Sequence, residues 1–133
     1  MQINFSKTVK YVPTWRGNQD LPEDQQFSCE LTVLNMAELM SLLDSFTAIG
    51  LEGQVDTDTV ENNKIKPVID EFGTLLPSHV QMAGLNTQHG AVSVEDIVTY
   101  PIYLNLALEL LMKLSEISSP SDDDVGNLSK PSA

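Results

Sequence analysis

The sequence predicts an α+β fold that is mainly α. A two-stranded N-terminal β element packs on a small bundle of three to four helices, and a disordered C-terminal tail follows. Three observations lead there. Period-2 alternation of apolar and polar residues is confined to residues 1–34. Helical spacing punctuated by capping residues fills residues 35–117. From Ser118 the composition turns to Ser, Pro, Asp, Gly and Asn. Residues 1–117 therefore read as a single α+β domain and residues 118–133 as a flexible acidic tail.

In the first strand Ile3, Phe5, Val9 and Tyr11 alternate with Asn4, Ser6, Thr8 and Lys10. In the second, Phe27, Cys29, Leu31 and Val33 alternate with Ser28, Glu30 and Thr32, the pattern of a half-buried strand. The connection from Pro13 to Asp24 is too long for a tight hairpin and reads as a structured loop. Two strands alone are marginal in water, so they must pack on the helices that follow.

Asn35 and Glu38 have capping-box spacing, and Met36, Leu39, Met40, Leu43 and Phe46 recur as a helical stripe that Gly50 can stop. Gly53 to Asp58 reads as an acidic linker, and Asp58 with Glu61 as a second cap. Ile65, Val68, Ile69, Phe72, Leu75 and Leu76 form a stripe interrupted by Pro67 and Pro77, each of which favours the first turn of a helix. Residues 59–83 are thus expected to be helical in pieces, and Gly84 to Gly90 to be a loop. Ser93 with Asp96 caps a third segment, which Pro101 breaks or kinks. The chain from Ile102 to Ile117 holds Leu104, Leu106, Leu108, Leu110, Leu111, Met112 and Leu114, making it the most apolar helix of all. Ser119 to Ala133 reads as the disordered tail.

Composition mainly excludes functions. The 133 residues carry 7 basic and 19 acidic side chains, a net charge of -12. Such a chain lacks the cations that neutralise phosphates or an anionic bilayer, so neither a nucleic acid nor a membrane is expected as partner. Its start has no basic segment leading into an apolar one, and its longest uncharged apolar stretch, Ile97 to Leu108, falls short of the roughly 20 residues of a membrane span. The chain reads as soluble and cytoplasmic. Its one cysteine, Cys29, lies on the apolar side of the second strand and reads as a buried structural thiol. His79 and His89 have no zinc spacing, and no nucleophile elbow or phosphate loop occurs. No enzyme, metal or cofactor is expected.

Two features could carry binding. The Leu-rich helix is apolar on more than one face, so it is either the central core helix or offers Leu104, Leu108, Leu111 and Met112 to a partner or a second copy. The core reading stands first. Trp15, beside Arg16 and between Pro13 and Gly17, either caps the core or anchors a partner.

Two stretches carry a family resemblance. Residues Lys10 to Gln26, with Val12-Pro13-Thr14-Trp15-Arg16-Gly17-Asn18 and Leu21-Pro22-Glu23, precede the second strand. Met82-Ala83-Gly84-Leu85-Asn86, Gly90, Asp96-Ile97-Val98 and the Leu-rich helix make up the other. Together they span most of residues 10–117, and they resemble the tail assembly chaperones of long-tailed, siphovirus-type bacteriophages. The resemblance implies a non-enzymatic role in the host cytoplasm. The partner it implies is the long, hydrophobic, helical tape measure protein, held soluble until the tail-tube protein polymerises around it. It also implies absence from the finished virion and, for many members, an extended form made by ribosomal slippage.

An apolar helical surface and a net charge of -12 suit such a holdase. They also suit a small structural tail or head-completion protein of the virion, or an acidic regulatory module that binds a basic partner. The charge is uneven: residues 1–34 are nearly neutral at -1, and residues 35–117 hold -9.

Overall fold

The computed structural model describes residues 1–51 and 56–120. The fold is α+β with helix dominant, as expected. The strands are β1 (Thr8–Tyr11), β2 (Ser28–Thr32), β3 (Val80–Ala83), β4 (Asn86–Thr87) and β5 (Gly90–Ala91). The helices are α1 (Met36–Ala48), α2 (Asn62–Phe72), α3 (Leu75–His79), α4 (Val94–Thr99) and α5 (Leu104–Ser118). Three of them have 11 or more residues, and α3 and α4 are short turns.

The expected two-stranded element is a three-stranded antiparallel sheet in the order β1-β2-β3. β2 is central and pairs Leu31 with Val9 on one side and with Val80 on the other. Residues 80–83 were expected to be helical. The free side of β2 offers them backbone partners, and that tertiary pairing overrides the local pattern. The first strand is also shorter than its alternation suggests. Thr8 pairs with Thr32, and Asn35 already caps α1, so β2 has nothing left to pair with residues before Lys7. Ile3 and Phe5 are consequently exposed. One face of the sheet buries Cys29, Leu31 and Val80, while Glu30, Thr32 and Gln81 face water. Gly84 to Gly90, expected as a loop, contains β4, and β4 forms a minimal hairpin with β5.

The capping expectations hold at two of three places. Asn35 Oδ1 accepts from Glu38 N–H at 2.8 Å, and Glu38 Oε1 accepts from Asn35 N–H at 3.0 Å. Ser93 and Asp96 form the same reciprocal pair. α2, by contrast, starts after Glu61 with no side-chain cap. Asp58 instead accepts from Asn105 Nδ2 at 3.2 Å, and Asp56 caps the 3-10 turn Thr57–Thr59. The acidic linker lies partly outside the described residues, as does the tail beyond Pro120.

Gly50 stops α1 as expected. With φ +79° it lets Leu51 N–H reach the Phe46 carbonyl at 2.8 Å and its own N–H reach Thr47 O at 3.1 Å. These two bonds form a Schellman motif, and buried Leu51 and Phe46 are its apolar partners. Pro67, expected in a first turn, sits in the middle of α2. Its missing N–H leaves the Asn63 carbonyl without an intrahelical donor, which is tolerable because both residues face solvent. Pro101 breaks the chain as expected and opens the 3-10 turn Pro101–Tyr103 that leads into α5.

α5 is the centre of the molecule. It packs against α1, α2, α3 and α4, and Leu106, Ala107, Leu108, Leu110, Leu111 and Leu114 are fully buried. Its apolar faces are therefore explained by neighbours on several sides, which is the core reading of this helix. Leu108 and Leu111 cannot offer themselves to a partner, and their assignment as surface residues is corrected.

Candidate interaction surface

The remaining members of the expected binding set are more accessible. Leu104 and Met112 are half-buried on α5, as is Trp15 in its loop. Trp15 packs edge-on against Phe27 at 6.3 Å between ring centroids and tilts against Tyr103 at 5.7 Å. It caps one end of the core, and the Arg16 guanidinium lies 4.7 Å above its ring.

This loop is tightly built. Arg16 (φ 52°) and Gly17 (φ 73°) are left-handed, reversing the chain after Trp15. Buried Asn18 then ties the loop together. Its Nδ2 donates to the Pro13 carbonyl at 2.8 Å and the Phe27 carbonyl at 2.9 Å, and its Oδ1 accepts from Phe27 N–H at 2.9 Å. Gly84 (φ +95°) passes so close that an added Cβ would stand 3.2 Å from Phe27 Cα. The Trp15 loop and the β3–β4 connection thus meet at Phe27, just before β2, framing a shallow cavity of about 300 Å³.

Met112 belongs to a larger feature. A groove of about 650 Å³ opens between β1, α1 and α5. Leu43 and Phe46 of α1, Leu51 beyond it and Met112 of α5 supply its apolar lining. Tyr11, Thr14, Asp56, Lys113 and Glu116 stand around them. The apolar surface continues out of the groove along α1. Met36, Met40 and Leu43 share one face at i, i+4 and i+7. Met36 is 77% exposed and Met40 50%. Unbranched, polarisable methionines adapt to varied apolar partners.

Glu109 holds one wall of the groove. It is 8% exposed and accepts from Tyr11 Oη at 2.6 Å, Thr14 N–H at 2.7 Å and Thr14 Oγ1 at 3.0 Å. These bonds fix β1 and the start of the Trp15 loop to the middle of α5. Burial and then the Glu109 carboxylate push the Tyr11 phenol far above its ordinary value, so it stays a donor. Burial, with Glu109 nearby, also pushes the Cys29 thiol up to about 12. Cys29 is 1% exposed and is the inert structural thiol that was expected.

Two tie-points lie elsewhere. Glu38 Oε2 meets His79 Nε2 at 3.1 Å, while His79 Nδ1 lies 3.0 Å from the Thr32 carbonyl, joining α1, α3 and β2. The Asn35 N–H and then His79 hold the Glu38 carboxyl below the usual glutamate value. Among the described residues, no cluster of three His, Cys, Asp or Glu side chains is placed to hold a metal ion, and no helix is long and apolar enough to cross a membrane.

Sequence reasoning placed Met36 and Met40 in the apolar stripe of α1 and so missed them as surface. It also missed Leu43, Phe46 and Leu51 as groove lining and Glu109 as its tie. α1 has six large apolar residues when Leu42 is counted, about what one packed face of 13 residues holds, so the spacing carried no sign that Met36 and Met40 stay exposed. No protein-family model, curated protein or solved structure matches the chain.

Proposed function

We propose that the protein is a non-enzymatic holding chaperone of the phage tail-assembly class, acting in the host cytoplasm. Its client would be the apolar helical tape measure protein, kept soluble until the tail-tube protein encloses it. The observation that carries the reading is the continuous apolar surface from Met36 and Met40 into the groove at Leu43, Phe46 and Met112. An amphipathic helix binds such a surface by laying its apolar face into the groove. Thioethers along the approach suit a long client whose successive turns differ in side-chain size. The charge of -12 keeps a loaded complex dispersed.

The reading is tested by co-expression with the tape measure protein of the same phage. The expected result is a soluble complex, together with virions that lack this chain. Stoichiometric copies in mature particles would instead favour a structural tail or head-completion protein. A client that stays insoluble beside the wild-type chain contradicts the chaperone reading outright.

A further inference from the structure

Among the described residues, residues 1–6 and the outer edge of β1 have no strand partner, and the two are complementary. Among the described residues β1 ends the sheet. Val33 N–H donates to the Lys7 carbonyl at 2.9 Å, so residues 7, 9 and 11 turn their backbone groups toward β2. Residues 6, 8, 10 and 12 turn theirs outward. Side chains satisfy two of these outward carbonyls, Thr8 O by Ser6 Oγ and Val12 O by Gln19 Nε2, each at 2.7 Å. The outward groups of Lys10 have no backbone partner among the described residues. Such an edge is a template for another strand.

The residues just before β1 have the pattern of that strand. Ile3 and Phe5, 70% and 67% exposed, continue the odd-numbered alternation of Val9 and Tyr11. They cannot fold back on their own edge, because they run directly into β1 with no residues left for a turn. Their charge also fits. Residues 1–19 hold Lys7, Lys10 and Arg16 and no acid, whereas, among the described residues, Asp56, Glu109 and Glu116 line the groove beside Tyr11 against the single cation Lys113.

We infer that two copies of this chain pair through residues 5–11, antiparallel and edge to edge, joining two three-stranded sheets into one. The side chains select the register. With Thr8 opposite Thr8 on the two-fold axis, Phe5 lies opposite the partner's Tyr11 and Lys7 opposite the partner's Val9. Phe5 and Tyr11 then form an aromatic cross-strand pair at the end of the groove. A slip of one residue in one direction would set Lys7 against Lys7, a like-charge pair that opposes it, and a slip in the other would move Phe5 opposite Pro13 and lose the aromatic pair. The interface is isologous, so the exposed Phe5 of both copies is covered at once. This inference does not rest on the chaperone reading.

The test uses the full chain alone. At roughly 100 µM, where even a weak specific interface registers, sedimentation should show a dimer. The double variant Ile3→Asp/Phe5→Asp should weaken it by about tenfold or more, since both Phe5–Tyr11 pairs are lost and each arm gains charge. Its circular dichroism should not change, because both residues are exposed. Thr8→Cys should oxidise to a disulfide-linked dimer, with buried Cys29 silent. Lys10→Cys should not, because that register sets the two positions about 13 Å apart, beyond disulfide reach. A monomeric wild-type chain, a dimer indifferent to the arm variant, or equal cross-linking at both cysteines would overturn the inference. A foreign strand as the true occupant would appear as the first of these. Client capture plays no part in the assay, so its outcome is separate from that of the proposed function.

Discussion

α5 and α1 are both rich in apolar residues, and the structure uses them in opposite ways. α5 is apolar on several faces and is enclosed by four helices, so its leucines are spent on the core. α1 is enclosed on one side only. Leu39, Leu42 and Phe46 are buried, while Met36 and Met40 stand in solvent. The helix richer in leucine therefore offers less surface. Exposure is decided by where the topology places an element, and the residues left over on a peripheral helix are the ones available to a partner.

The largest expected effect comes from treating α5 as if it were surface. Leu108→Asp or Leu111→Asp buries an unpaired charge and should leave no cooperative urea transition. Leu111→Ala should cost about 2–5 kcal/mol in the same measurement. A folded Leu111→Asp protein that had lost only self-association or client binding would restore the surface assignment.

Glu109 sharpens the comparison next, because it is the polar member of the buried helix. Glu109→Ala strips the acceptor from Tyr11 and Thr14 and should cost roughly 2–3 kcal/mol by urea denaturation. Tyr11→Phe should cost less, since the Thr14 bonds remain.

A smaller effect belongs to the cap of α1. The folded Glu38 carboxyl titrates below its ordinary value near 4.5, so the stability it contributes is complete above that pH. It is lost as the pH falls through the lower, folded value. Glu38→Gln should therefore destabilise by about 0.5–1 kcal/mol at pH 7. The gap to wild type should close in strong acid, as read from urea midpoints across pH. A gap independent of pH would assign the effect to packing rather than charge.

The least effect on stability is expected at the exposed methionines. Met36→Ser/Met40→Ser should stay within about 0.5 kcal/mol of wild type by thermal melting.

Local chemistry explains which parts of this were legible in the sequence. Asn35, Gly50, Ser93 and Pro101 act through neighbours a few residues away, and each does what its position implies. β3 was not legible, because Val80 becomes a strand residue only when β2, some 50 residues earlier, presents its free side. Pro67 misled for a related reason: its tolerance depends on which side of α2 meets water. In the interaction surface, Met112 was legible as an apolar residue off the main stripe of α5. Met36 and Met40 were not, because helical spacing assigns them to an apolar face without saying how far the core extends beneath it. Glu109 looked like an ordinary helix charge, and its role rests on Tyr11 and Thr14, which only the fold brings beside it.

The central claim is that α1, with the groove below it, is the client surface. The most direct measurement is the soluble fraction of co-expressed tape measure protein beside wild type and beside Met36→Asp/Met40→Asp, with the melting temperature of each chain taken in parallel. The account predicts a folded variant that leaves the client in the pellet. A folded variant that keeps the client as soluble as wild type does would contradict it.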